Sequence, residues 1–190
     1  MNYLAHILLS GPDPLKQLGN FIGDGVKGRT YENYPSRIRE GILLHRAIDE
    51  YTDHHPLIKE ITALMKEHFG RYSGIVADMY FDYFLASDFP CYAEVSLQKF
   101  AWRFYGTAIV NYRYLPLRFR NFLWHFIVTN RLCKYSTTAG LRRSLEIMQR
   151  YKNFPVDSRA AIFFLAEHRA QLQEGFERFF PDLQKFCGVV

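Results

Sequence analysis

An all-α fold, organised as one compact multi-helix domain over residues 1–190, is what this sequence predicts, on three observations. Apolar residues recur at the i, i+3, i+4 spacing of a helix face almost throughout. No run sustains the period-2 alternation, bounded by hairpin turn residues, that marks strands. Proline and glycine punctuate the chain at intervals that suit helices and leave no linker or repeat to divide it.

A short helix is predicted from about Tyr3 to Leu9, stopping at Gly11-Pro12-Asp13-Pro14, where two prolines remove donors and disfavour continuation. A second runs from about Leu15 to Val26, with Leu18, Phe21, Ile22 and Val26 on one side and Gly28 after its end. Past Pro35, Ser36 is the expected N-cap of a central helix that reaches His54 before Pro56 stops it. Leu57 to Phe69 reads as amphipathic and closes at Gly70, and the aromatic-rich Ser73 to Ala86 is broken by Asp88-Phe89-Pro90. Longer helices are expected at Glu94–Tyr112, Leu117–Cys133, Thr138–Lys152 and Asp157–Phe180, separated by Pro116, Ser136-Thr137 and Pro155.

Composition narrows the functional classes. A hydrophobic share of 48% and an aromatic share of 17% exclude disorder and supply a core without staples. Tyr80, Phe81, Tyr83, Phe84 and Trp102 are expected mainly in that core, with one or two free to line a channel. The three cysteines (Cys91, Cys133, Cys187) lack CxxC spacing, so neither a disulfide framework nor a zinc knuckle is suggested and a reducing cytoplasm fits best. The N-terminal stretch lacks a basic leader, and no apolar run approaches the roughly 20 residues of a membrane span. A net charge of +5 and a pI near 9.1 point to an acidic partner without choosing among nucleic acid, lipid and protein.

The informative stretch is Gly41-Ile-Leu-Leu-His45-Arg46-Ala-Ile48-Asp49-Glu-Tyr-Thr52-Asp53. On a helix, His45, Asp49 and Asp53 follow at i, i+4, i+8 and share one face. The same spacing recurs as Asn2 and His6, Asn20 and Asp24, and Asp78 and Asp82, each pair set among apolar residues. A carboxylate in such surroundings is costly unless paired or bound to a cation. Two imidazoles with several carboxylates form a mixed N/O donor set that suits manganese, iron or magnesium better than zinc. Such a set hydrolyses phosphate esters by activating a bound water and neutralising phosphoryl charge. Arg46 either adds a bidentate phosphate contact or pairs on the surface with Glu50, four residues on. His54-His55 reads as a helix-end feature, and His68, His125 and His168 have no acidic neighbour at ligand spacing except the chain-adjacent Glu67 and Glu167, which are expected to face elsewhere.

Asn2-Tyr-Leu-Ala-His6, Gly19-Asn20-Phe-Ile-Gly-Asp24, the His45 stretch and Asp78-Met-Tyr-Phe-Asp82-Tyr-Phe-Leu85 together resemble the acyl carrier protein phosphodiesterases, in order and in spacing. The likeness thins after Leu85, with Asn121-Phe-Leu-Trp124 a later echo. The resemblance implies a cytoplasmic, helical, manganese-dependent hydrolase (magnesium or iron being alternatives) distantly related to the HD-domain phosphohydrolases. Its reaction would release 4′-phosphopantetheine from holo acyl carrier protein. Carried over by position, His6, Asp24, His45, Asp49 and Asp78 are the implied metal ligands, with Arg46, Asp53 and Asp82 beside them. The adjacent His-Asp pair of the HD proteins is absent, and His45-x-x-x-Asp49 stands in its place. Asp49 or Asp82 is the expected proton acceptor, and Arg46 or the metal the stabiliser of developing charge.

Because the implied partner is an acidic helical protein, Arg113, Arg118 and Arg120, with Arg142 and Arg143, are the expected docking residues, no nucleic acid being expected. Two other readings stand beside this one. The first is a metal phosphohydrolase acting on a nucleotide or other small phosphoester. The second is a non-enzymatic helical protein binding nucleic acid or an acidic partner, although no helix-turn-helix or zinc-finger signature supports it.

Overall fold

The computed structural model describes residues 1–152 and 154–189. Eleven α-helices follow in order: α1 (Tyr3–Leu8), α2 (Pro14–Ile22), α3 (Ser36–His54), α4 (Pro56–Phe69), α5 (Ser73–Ser87), α6 (Leu97–Val110), α7 (Leu117–Val128), α8 (Arg131–Lys134), α9 (Thr138–Lys152), α10 (Ser158–Glu167) and α11 (Arg169–Cys187). Short 3₁₀ turns join several of them, and the described residues contain no strand, so the all-α expectation holds.

Local chemistry explains where the helices start. Asp13 caps α2 by accepting from the N–H groups of Leu15 (2.9 Å) and Lys16 (3.1 Å), and Pro14 occupies the first helical position, where its missing donor costs nothing. Ser96 caps α6 through Lys99 N–H, which starts that helix at Leu97 rather than at the expected Glu94. Ser36 is the first residue of α3 rather than its cap; Pro35, in extended conformation, precedes it without a capping side chain.

Three boundaries depart from the sequence expectation for identifiable reasons. The second helix ends at Ile22 instead of Val26, because Gly23-Asp24-Gly25 tightens into a 3₁₀ turn. The helix expected over Leu117–Cys133 breaks at Asn130, which is left-handed (φ 44°), and α8 begins at Arg131. Asp157–Phe180 divides at His168 into α10 and α11, and α11 continues through Pro181 to Cys187 before Gly188 (φ 67°) ends it.

A single core cluster gathers residues from every layer, including Phe21, Ile42, Ile48, Met65, Phe81, Phe104, Phe126, Leu145 and Phe176. Aromatic rings dominate it: Phe21 meets Phe104, Phe119 and Phe126 at centroid distances of 5.0–5.4 Å. Tyr80, Phe81, Tyr83 and Phe84 are buried as expected, whereas Trp102 is 53% exposed and touches Tyr105 only edge-on.

Two contacts place the site-bearing helices. Gly19 on α2 faces Ile38 O and Gly41 on α3 faces Lys16 O, so closely that a Cβ on either would collide with backbone of the other helix. The α2–α3 crossing therefore requires glycine on both sides. Asp82, on α5 and without exposed surface, accepts from Leu4 N–H (2.8 Å) and Ala5 N–H (3.1 Å) at the start of α1, while Asn2 caps Tyr3 N–H. Burial pushes the Asp82 carboxyl up to about 7, against the two backbone donors that favour its ionised form.

Two outcomes are expected from denaturation followed by circular dichroism. Gly41→Ala forces α2 and α3 apart and costs about 1–3 kcal/mol, as overpacking does. Asp82→Ala strands two buried backbone donors and costs about 2–4 kcal/mol, at about 2–4 °C of midpoint per kcal/mol in a chain of this size. A midpoint for Asp82→Ala within a degree of the unaltered protein would remove the anchoring role given to this carboxylate.

Candidate metal centre

The site is assembled from α1, α3 and the Gly23–Gly25 turn. His6 faces inward from α1 and is 2% exposed; His45 faces it from α3 and is 6% exposed, the two rings stacking at 4.1 Å between centroids. Gly23 lies directly against the His45 ring, where any side chain would displace the imidazole. Asp49, one turn along α3, reaches both histidines: Oδ1 is 3.2 Å from His6 Nε2 and Oδ2 is 3.2 Å from His45 Nε2. Asp24, exposed on its turn, places Oδ1 3.4 Å from His45 Nε2. His6, His45 and Asp49 thus offer ligand atoms all within 4.8 Å of one another.

A chain of hydrogen bonds fixes the His6 tautomer. Ser10 Oγ donates to His6 O (2.8 Å), so it must accept from Asn20 Nδ2 (2.9 Å), and Asn20 Oδ1 is left facing His6 Nδ1 at 2.7 Å. Nδ1 therefore carries the proton. The Nε2 lone pair then confronts two further acceptors, Met1 O at 3.1 Å and Asp49 Oδ1 at 3.2 Å. Three electron-rich atoms turned toward one another ask for a cation between them, and an imidazole whose far nitrogen is held this way is oriented as a ligand.

His45 makes the same point differently. Both of its ring nitrogens are buried without an aligned hydrogen-bond partner among the described residues, although carboxylate oxygens stand 3.2 and 3.4 Å from Nε2. Buried ring nitrogens without an aligned partner are rare in a folded interior, and a cation at Nε2 would give that nitrogen one. The donor set, two imidazole nitrogens with carboxylate and carbonyl oxygens, fits a divalent cation such as manganese, magnesium or iron.

The electrostatics separate the two histidines. Burial, together with the neighbouring His45, lowers His6 to about 4, so it is neutral. Burial also works against His45, but Asp24 and Asp49 outweigh it and raise His45 to about 9. Burial would push Asp49 up, yet His45, His6 and the N-terminal ammonium hold it well below the usual carboxylate range. Asp24 is lowered mainly by its His45 contact.

The other expected site residues lie nearby in different employment. Asp78 is 2.9 Å from the α-ammonium of Met1, which stands 4.0 Å from Asp49, and burial raises the Asp78 carboxyl despite that partner. Asp53 is exposed a turn beyond Asp49. Arg46 donates through Nη2 to Val26 O (2.9 Å) and Gly28 O (2.8 Å) and lies over the Tyr31 ring, pairing neither with Glu50 nor with the histidine cluster. Asp82 is spent on α1. Asn20 was legible only as the partner of Asp24 at i, i+4; its contact to His6 joins two helices, which spacing along one chain does not reveal.

The five arginines fall into two groups. Arg113 and Arg120 border an open groove of about 550 Å³ with Thr30, Tyr34 and Leu117, and Arg118 is exposed on the same segment. The groove adjoins the site, because Gly25 of the Asp24 turn packs on Phe119 and Pro116. Arg142 and Arg143 both lie 3.2 Å from Glu146 on α9. His54 and His55 occupy the end of α3, His55 reaching Asp182 at 3.5 Å.

Comparison with known proteins places this architecture. Acyl carrier protein phosphodiesterase of Yersinia pestis is 26% identical over 186 residues, covering 97% of this chain and 96% of that protein. The Photorhabdus laumondii protein of the same name is 28% identical over 188 residues (95% and 92%), and that of Pectobacterium atrosepticum 33% identical over 128 residues (65% and 66%). No solved structure matches, and the expected kinship with HD-domain proteins rests on resemblance alone. The family model for acyl carrier protein phosphodiesterase matches residues 1–183, nearly the whole length, and the chain belongs to that family.

Proposed function

We propose that this chain hydrolyses the phosphodiester between 4′-phosphopantetheine and the serine of holo acyl carrier protein, giving apo carrier protein and free 4′-phosphopantetheine. The observation that carries the reading is that the sequence blocks resembling the family supply His6, Asp24, His45 and Asp49, and that these four side chains meet at one place. No described helix is long and apolar enough to cross a membrane.

His6 Nε2, His45 Nε2 and Asp49 are the groups that would hold the ion, with Asp24 and Asp78 at its margin. A bound divalent cation supplies a water of lowered pKa and neutralises phosphoryl charge. Asn20 keeps His6 Nε2 free by fixing the proton on Nδ1. Of the two carboxylates expected as proton acceptor, Asp49 is half-buried at the cluster, whereas Asp82 is enclosed and committed to α1; the base role is given to Asp49. Arg46 is a positioning residue: its two bonds to the Val26 and Gly28 carbonyls steady the loop that follows Asp24. Arg113, Arg118 and Arg120 are assigned to the acidic carrier protein, since Arg142 and Arg143 already share Glu146.

Mass spectrometry of holo acyl carrier protein incubated with this protein and manganese should record loss of the phosphopantetheine mass. His45→Ala with Asp49→Ala should reduce that loss at least about 1,000-fold, as removal of a unit that acts together does. Conversion at the unaltered rate by the double variant would sink the assignment of the site.

Metal binding should depend on pH in a defined sense. His45 is raised to about 9, so it is protonated at neutral pH and must release that proton to ligate. Affinity for manganese should rise about tenfold per pH unit from about 6.5 to 9 and level off above, with about one proton released per ion in calorimetry at pH 7.5. An affinity that does not change across that window would exclude His45 as a ligand.

A further inference from the structure

The positive charge of the chain is segregated. From Val95 to Leu145 the sequence holds nine of its 24 Lys and Arg and none of its 19 Asp and Glu, so the net charge of +5 comes entirely from this segment and the remainder is net negative. The helices α6, α7 and α8 lie within it. Charge of one sign gathered in this way attracts a partner of the other.

Within the segment, α7 has two unlike faces. Its inner residues Phe119, Leu123 and Phe126 are buried, and Phe126 meets Phe21 of α2 and Tyr3 of α1, three residues before His6. Its outer residues Leu117, Asn121, Trp124 and Val128 follow at i, i+4, i+7 and i+11 and are all exposed, the three apolar ones by 73%, 52% and 84%. At 1.5 Å per residue this stripe runs roughly 16 Å along the helix. The metal centre makes no use of Asn121-Phe-Leu-Trp124, whose first and last residues stand on the stripe.

The apolar stripe is continuous with the cationic groove. Leu117 belongs to both, since it lines the groove of about 550 Å³ with Arg113 and Arg120. Arg120 lies over the Tyr112 ring at 5.5 Å, and Tyr112 in turn meets the Trp124 indole at 6.2 Å. On its other side the groove borders the Asp24 turn, where Gly25 packs on Pro116 and Phe119. Exposed tryptophan and aliphatic side chains beside fixed guanidinium groups have the composition of a protein contact surface.

We propose that the outer face of α7, from Leu117 to Val128, together with the adjoining groove is the surface on which the acidic carrier protein seats. Leu117, Trp124 and Val128 make the apolar contact, and Arg113, Arg118 and Arg120 the charged one. The assignment rests on the phosphodiester reading above and adds to it the apolar half of the contact. Charge selects an acidic partner, and a second copy of this chain would bring like charges into opposition. The junction of the groove with the Asp24 turn selects the substrate over a lipid surface, which has no need to reach the metal centre.

Trp102 and Trp124 are the two tryptophans of the sequence, so Trp102→Phe leaves Trp124 as the sole indole reporter on this face. The probe is apo acyl carrier protein, which can bind without being cleaved. Its addition should shift the Trp124 emission to the blue and saturate, with a Kd that rises about tenfold in Leu117→Asp and in Val128→Asp. Both side chains are so exposed that lost binding does not report lost folding. In the holo carrier protein assay with manganese, the same two variants should raise KM about tenfold and leave kcat within about twofold. A Trp124 emission indifferent to apo carrier protein would overturn the proposal, and so would a KM unchanged in both aspartate variants. A blue shift given by phosphatidylglycerol vesicles and not by carrier protein would overturn it in favour of a lipid surface; an emission that follows protein concentration alone would overturn it in favour of self-association. Cleavage of holo carrier protein with no Trp124 response would discard the docking face and keep the activity, whereas a Trp124 response lost in the aspartate variants without any cleavage would keep the docking face and discard the reaction.

Discussion

The buried carboxylate of Asp82 is the interaction on which the site depends. A helix of six residues such as α1 has too few internal bonds to repay its own nucleation, so it exists only where tertiary contacts impose it. Asp82 supplies two of those contacts from 77 and 78 residues away, gripping the N–H groups of Ala5 and Leu4. His6 follows directly after Ala5. Its ring is then fixed from the far side by Asn20, whose helix is brought against α3 by the reciprocal glycine contact of Gly19 and Gly41. The enclosed carboxylate, the glycine crossing and the Ser10–Asn20–His6 chain are thus successive parts of one positioning device.

What that device achieves is a pair of histidines with opposite character in one stack. His6 sits deeper, loses more solvation and stays neutral; His45, with Asp24 and Asp49 at its Nε2, keeps a proton to about 9. This proton lies between Asp24 and Asp49, and the Met1 ammonium lies against Asp78. His6, His45 and Asp49 form a possible metal-binding group, and ligation through His45 Nε2 would displace the proton that it holds.

Much of this was legible in the sequence, and the limits of its legibility are physical. Helix existence followed from apolar periodicity, and the limits of α3 from Pro35 and Pro56, so His45 and Asp49 could be put on one face. Asp78 and Asp82 repeat that spacing, yet one meets an ammonium and the other two backbone amides. Periodicity tells which residues share a face and is silent on what the face meets. The ending of α2 at Ile22 was within reach, because two glycines flank Asp24; the break at Asn130 was not, since it depends on a hydroxyl from α6. Trp102 misled because aromatic content was read as burial, and an amphipathic ring tolerates a half-exposed seat.

The distribution of cations then separates structural from functional charge. Arg46 is tied down by two backbone carbonyls and Arg169 by the Tyr83 hydroxyl at 2.6 Å, whereas Arg142 and Arg143 share the carboxylate of Glu146. Arg113 and Arg120 are held by carbonyls, hydroxyls and rings, none of which carries negative charge, so they keep an outward field beside the Asp24 turn. A surface field of this kind draws a large acidic partner from a distance, and Arg142 and Arg143, set against Glu146, contribute less to it. The outward positive field thus lies where the groove of Arg113 and Arg120 meets the turn that carries Asp24.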